Sequence, residues 1–216
     1  MENTRTKTTR NSLILLLTAA IWGMAFVSQS KGMDYMHPFT FNGVRSLIGA
    51  ASILVYILIS RKIAGDKAAP LDWKLNVKAG LLCGIFLTIA STLQQFGIKY
   101  TSVGKAGFIT TLYIIFVPMF GIFLKKKVAP VVWAAAVMAA VGMYLLCMTE
   151  SLRLGAGDIM VFLCAIAFAI QIMTVDHYAA RIDGAVVSCI QFTVCGVVCC
   201  IGALIWGQPT LSLIHI

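Results

Sequence analysis

The sequence predicts an all-α fold, a polytopic transmembrane helix bundle, from three observations: its composition, the length of its apolar blocks and the segregation of its cations. Of 216 residues, 60% are hydrophobic and only 12% charged, with a mean hydropathy of +0.92. Soluble domains are about half apolar and about a quarter charged, so a water-soluble fold of this composition would lack the side chains to cover itself. The apolar residues fall in seven blocks, each of about 17 to 22 residues, close to the roughly 20 a helix needs to cross the hydrocarbon core. Barrel strands are about half that length and alternate in polarity, which these blocks do not.

The first block, Ser12–Ser30, follows Arg5, Lys7 and Arg10 as a signal peptide would, but no small-x-small cleavage site comes after it, so it is read as a retained span. The second, Phe39–Ser60, contains Arg45. The third, Val77–Ile98, has Gly80 and Gly84 one turn apart, spacing that permits close helix contact. In the fourth, Ala106–Leu124, Pro118 removes the hydrogen bond to the Ile114 carbonyl, which predicts a kink and makes Pro118 the candidate hinge. Val128–Cys147, Ile159–Val175 and Ala185–Trp206 complete the set. All seven cysteines lie inside blocks, which argues against a disulfide framework. Cys195, Cys199 and Cys200 have no His or carboxylate beside them and are read as packing residues, not a metal site.

The net charge of +9 would suggest nucleic acid in a soluble protein, but its distribution points elsewhere. Twelve of the 17 Lys and Arg fall on one side: three before the first block, Arg61, Lys62, Lys67, Lys74 and Lys78 in the second loop, Lys125 to Lys127 in the fourth, and Arg181 in the sixth. Cationic loops are retained in the cytoplasm, which places the N-terminus inside and the end of the seventh block outside. The implied partners are the lipid bilayer and a small-molecule solute, with no nucleic acid and no cofactor; a homodimer is left open.

A gapless shift of 146 residues lays Ala20-Ile21-Trp22-Gly23 on Ile166-Ala167-Phe168-Ala169 and Asn42-Gly43-Val44-Arg45 on Ser188-Cys189-Ile190-Gln191. The sixth and seventh blocks thus read as a second copy of the first two, with Arg45 and Gln191 at the same depth. A five-helix unit has an odd number of crossings, so its second copy enters the membrane inverted, the architecture of many secondary transporters. The predicted organisation is one five-helix repeat over 12–147, the first two helices of an inverted second repeat over 157–206, and an unassigned tail over 207–216. Two full copies would make ten helices, so the chain is read as a fragment of a longer carrier.

A charge near mid-membrane costs roughly 2.5 to 3.5 kcal/mol on insertion scales, so Arg45 is expected to face protein or water. Asn42, Ser46, Gly49 and Ser52 share its stripe at helical spacing, which predicts an interior face; the alternative is snorkelling to the interface. Thr88, Ser91, Thr92 and Gln95 line one side of the third block, beside Gln94. These, with Gln171 and Gln191, could bind a solute or act as interhelical glue. Trp22, Phe26 and Tyr113 could line a cavity or simply pack. All eight acidic residues and all three histidines fall in loops or at block ends, so no intramembrane carboxylate offers a proton relay. The chain has no nucleotide-binding loop, no HExxH and no GxSxG, and is not expected to be an enzyme.

Ala20-Ile-Trp-Gly-Met-Ala-Phe-Val27, Phe41-Asn-Gly-Val-Arg45, the stretch from Gln94 to Pro118, and Gly157-Asp158-Ile159 resemble the EamA family of the drug/metabolite transporter superfamily. The resemblance implies ten helices in two inverted five-helix repeats, residence in a bacterial inner membrane, and export of amino acids, drugs or other small metabolites. It also implies a central cavity bordered by the helices bearing Trp22, Arg45, Gln95 and Tyr113. Many members have a Gly-Glu pair after the fourth helix where this chain has Lys125-Lys126-Lys127, so no role of that acid carries over. The alternative function is a non-transporting membrane scaffold whose polar residues only join helices.

Overall fold

The computed structural model describes residues 2–65, 71–124, 128–147 and 155–206. The tail 207–216 and Lys125 to Lys127 lie outside the described residues. The described elements are all helical: α1 (Glu2–Gly32), α2 (Pro38–Ala64), α3 (Trp73–Tyr100), α4 (Val103–Thr111), α5 (Tyr113–Phe123), α6 (Pro130–Cys147), α7 (Ala156–Tyr178) and α8 (Gly184–Trp206). Among the described residues, six helical stretches are long and apolar enough to cross a membrane, with α4 and α5 counted as one, whereas the apolar run in α6, Pro130–Gly142, is shorter. Large apolar side chains such as Leu15, Ile63, Met138 and Leu204 are exposed all around the bundle, as a lipid-facing surface requires.

Packing fixes the direction of each helix. We call the side on which α1 begins the near face and the opposite side the far face. Along the α3–α8 contact, Gly80 meets Ile190, Gly84 meets Val194 and Thr92 meets Cys199, so these helices run parallel. Between α2 and α8, Gly43 meets Cys200 and Leu47 meets Gly196, so this pair is antiparallel. The α3–α7 pair is antiparallel too, with Gly97 against Gly157 and Val161, and Ala90 against Cys164 and Ala167. Four helices, α2, α3, α7 and α8, therefore form the tightly packed centre.

The α4–α5 segment runs parallel to α7, from Lys105 beside Asp158, through Ile109 beside Val161, to Phe116 beside Phe162. Two segments that run the same way and are joined by one helix need that helix to carry the chain back. Helix α6 does so: Val128 and Ala129 lie across a groove from Gly121, and Ala140 lies across another from Phe108. Its 18 residues reach about 27 Å at 1.5 Å per residue, close to the roughly 30 Å hydrocarbon core.

Small residues set how closely the central helices approach. A Cβ on Gly97 would stand 2.5 Å from Val161 Cγ2 and 2.9 Å from the Gly157 carbonyl oxygen, while one on Gly157 would stand 2.8 Å from the Gly97 oxygen. Gly80 and Gly84 admit Ile190 and Val194 of α8, so the GxxxG spacing serves packing inside the bundle.

The fourth block is interrupted at Leu112, between α4 and α5, and Pro118 lies within α5. The cause of the break is local. The Thr111 hydroxyl donates to the Phe108 carbonyl, the acceptor an uninterrupted helix would give to the Leu112 N–H, and that N–H turns to the Ile109 carbonyl instead.

Polar side chains organise both faces. On the near face Asp183 caps α8 by accepting from the amides of Ala185 and Val186, and pairs at 3.7 Å with Arg61 at the end of α2. Its own amide donates to Asn76 of α3, whose side chain donates in turn to the Asp72 carbonyl. On the far face His37 precedes Pro38, and its Nδ1 accepts from the Phe39 amide to cap α2. His37 packs with Phe39 and Phe96, and desolvation followed by the nearby Lys99 holds its pKa below the usual imidazole value. The neutral ring is therefore the folded form. The unfolded chain takes up the proton first as pH falls below about 6.5, so this cap is intact above that pH and weakens below it. Protection of the Phe39 amide, its exchange slowed relative to the intrinsic rate at each pH, is expected to fall between pH 7 and 5 in the native chain and to stay constant in His37→Asn.

Candidate solute-binding site

The residues that the sequence singles out sit on six helices, and the structure brings most of them together in pairs. Arg45 Nη2 donates to Asn42 Oδ1 at 3.1 Å, and its guanidinium lies 5.7 Å from the centroid of the Phe41 ring. Asn42 is fully buried and donates onward to the Ser91 carbonyl of α3 at 2.9 Å. Ser46 and Ser91 both contact Cys195 Sγ at 3.4 Å, and Thr92 contacts Cys199 Sγ at 3.8 Å. This makes a polar node across α2, α3 and α8, with Arg45 at its edge.

The expected interior stripe of α2 therefore divides. Asn42 and Ser46 are buried, but Arg45 is exposed and Ser52 is exposed and bonded only to its own helix at Ile48. At about 100° per residue Arg45 and Ser52 lie nearly in line, roughly 100° or more around the helix from Ser46, and the α8 contacts of Gly43, Ser46 and Leu47 fall on the Ser46 side. An arginine half in and half out of the bundle keeps its charge solvated or available to an anion while its hydrogen bond fixes its direction.

Trp22 and Tyr113 meet with ring centroids 6.2 Å apart, joining α1 to the start of α5. Gln171 Nε2 donates to Gln191 Oε1 at 3.0 Å, joining α7 to α8. Gln95 is fully buried and donates to the backbone carbonyl of Gln29 in α1 at 3.3 Å, and the neighbouring Gln94 donates to the Thr110 hydroxyl of α4. Pro118 lines a different feature, a groove of about 540 Å³ between α5, α6 and α7 that also holds Val132, Met173 and Asp176. Cys195 and Cys199 are buried, and Cys200 stands against Gly43.

Two features escape the sequence reading. Gln29, near the end of the first block, is 2% exposed, and both its Oε1 and that of Gln95 lack a hydrogen-bond partner. A large amide inside an apolar block is the signal that could have found it. Asp158, placed by sequence at a span end, is 3% exposed on the far face: it accepts from the Thr101 hydroxyl and the Gly155 amide and lies 3.8 Å from Lys105 Nζ. Gly-Asp-Ile opening a helix offered only a weak hint of this, since the partners come from α3 and α4.

The EamA-like transporter family model matches residues 10–148. A curated relative from Archaeoglobus fulgidus, described as an uncharacterized transporter, is 31% identical over 171 residues, covering 76% of this chain and 48% of that protein. The chain thus spans about half the length of the curated relative. No solved structure matches. With a match over well more than half of its residues and a multi-pass apolar bundle to go with it, this chain belongs to the EamA-like transporter family.

Proposed function

We propose that the chain is part of a secondary carrier that exports small metabolites such as amino acids or drugs across a bacterial inner membrane, with the N-terminus in the cytoplasm. The observation that carries this reading is the Arg45–Asn42–Ser91 chain: a guanidinium held at the rim of a polar node inside an otherwise apolar bundle. Such a group can bind the anionic end of a solute, and the node supplies further hydroxyls and amides. Trp22, Gln95, Tyr113, Gln171 and Gln191 would border the same path, and Pro118 would act as a hinge at the α5–α7 groove.

The inverted-repeat reading gains support from the α2–α8 contact. The 146-residue shift carries Ser46 onto Phe192 and Gly49 onto Cys195. The Ser46–Cys195 bond and the approach of Gly49 to Phe192 are thereby images of one another, as expected for a helix pair astride a two-fold axis. In this scheme 12–147 is the first repeat and 157–206 the start of the second, and transport rocks one against the other.

The test is solute efflux from cells or proteoliposomes carrying the full-length gene, compared with Arg45→Ala and Arg45→Lys. Arg45→Ala is expected to reduce export at least tenfold while membrane insertion stays normal, with Arg45→Lys in between. Undiminished export by the alanine variant would remove Arg45 from the site. A purified protein that never moves solute but captures a partner would favour the scaffold reading.

A further inference from the structure

Helix α1 is held to the bundle along one narrow stripe, Trp22, Phe26 and Gln29, which recur at helical spacing on one face. Trp22 meets Tyr113, Phe26 packs on the Ile98–Ala106–Ile109–Val161 cluster, and Gln29 meets Gln95. The rest of the helix is open, with Leu13 through Leu17, Ile21 and Met24 all exposed.

At the Gln29–Gln95 contact the hydrogen-bond inventory is unbalanced in one direction. Both side-chain carbonyl oxygens are buried with no donor, and the Gln29 backbone oxygen is already taken by Gln95 Nε2. That bond fixes the Gln95 amide, because flipping it would set its oxygen against another carbonyl oxygen. A buried carbonyl without a donor is destabilised, and two at one helix contact call for a ligand rich in N–H groups. The same stripe carries the Trp22–Tyr113 aromatic pair two turns along α1, and aromatic faces attract cations. Carbonyl oxygens and aromatic rings together repel a carboxylate or phosphate and favour an ammonium.

From this juxtaposition we propose that Gln29 and Gln95 form the acceptor half of a binding site for a primary ammonium group, reached when α1 lifts from α3. The inference rests on the carrier reading and adds to it the substrate class: a solute bearing a protonated amine. Lifting α1 breaks this stripe and the Gly32–Phe41 contact beside the turn into α2, so the two oxygens can be reached without disturbing the α2–α3–α7–α8 centre.

The experiment uses the full chain in lipid nanodiscs and equilibrium binding of radiolabelled phenethylammonium at pH 7. Its N,N,N-trimethyl derivative keeps ring and charge but has no N–H, and phenylpropionate keeps the ring but reverses the charge. Phenethylammonium is expected to bind at least tenfold more tightly than either. Gln29→Leu and Gln95→Leu are each expected to weaken it at least tenfold, and Gln29→Leu to do so without lowering the melting temperature, since leucine there removes an undonated buried oxygen. Gln29→Glu is expected to retain binding, which guards against loss of fold as the explanation.

Equal binding of the trimethyl compound, undiminished binding by both leucine variants, or no binding of phenethylammonium would each overturn the proposal. Stabilisation by sodium chloride alone, with no amine bound, would reassign the oxygens to an inorganic cation. Binding of phenylpropionate in an Arg45-dependent way, with no amine bound, would reject this site but leave the carrier reading standing. Absence of binding by every solute would count against both.

Discussion

Gly97→Leu is expected to prevent the central helices from docking, at a cost of about 3 kcal/mol or more, since overpacking typically costs 1–3 kcal/mol even where neighbours can yield. Here they cannot yield easily. The first added atom would meet Val161 Cγ2 at 2.5 Å, and behind it stand the Gly157 oxygen and the Val161 amide nitrogen, which move only if α3 and α7 part. Gly157→Leu should behave alike, since its Cβ would meet the Gly97 oxygen and the Tyr100 backbone. The checks are monodispersity in detergent and melting temperature, with Gly107→Ala as control. Nothing lies within 4 Å of a Cβ at Gly107, so that change should be neutral or stabilise by up to about 1 kcal/mol through helix propensity. If Gly97→Leu melts like the native chain, the α3–α7 crossing is not as close as described.

The second large effect is expected at Asp158. Its carboxylate ties three elements together on the far face, accepting from Thr101 at the end of α3 and from Gly155 ahead of α7, and facing Lys105 of α4 at 3.8 Å. Exposed ion pairs contribute little, but Asp158 and Lys105 are 4% and 20% exposed in their side chains, so this pair is shielded from water. Removing one partner of a buried, hydrogen-bonded charge costs about 3 kcal/mol, mostly by stranding the others. Asp158→Ala should therefore lose about that much stability, and Asp158→Asn less, because an amide oxygen still accepts from Thr101. A double-mutant cycle with Lys105→Met apportions the ionic part. Additivity of the two single changes would show that the lysine adds nothing.

The two faces are built by the same device used at different depths. Asp183 caps α8 and grips Arg61 and Asn76 on the near face, while Asp158 opens α7 and grips Thr101 and Lys105 on the far face. Each closes one end of the bundle with a carboxylate at a helix start, where backbone N–H groups and the helix dipole favour negative charge. The polar node and the Gln29–Gln95 contact lie between them.

How much of this was legible in the sequence follows from the range over which each force acts. Block length and apolarity are one-dimensional properties, because a helix satisfies its own backbone in lipid and needs only about 20 apolar residues to do so. The seven helical segments were therefore readable from composition, as was the packing role of Gly80 and Gly84, since spacing alone puts both on one face. Pro118 drew the eye as a helix breaker, yet the interruption falls at Leu112, because the Thr111 hydroxyl takes the carbonyl that the next turn needs. Helical periodicity placed Arg45 in line with Asn42 and Ser46, but which side of that stripe α8 covers is a matter of crossing geometry.

What the sequence by itself determined, then, is that the chain is a multi-pass helical membrane protein of a recognisable transporter type, because the bilayer enforces that choice segment by segment. The tertiary structure decided the pairing of its polar groups: Asn42 with Ser91, Gln171 with Gln191, Gln95 with Gln29, Asp158 with Lys105. Those partners stand on different helices and tens of residues apart in most cases. A polar side chain in an apolar block announces that it needs a partner, but only helix direction and crossing depth determine which one it finds, and which oxygens it leaves without one.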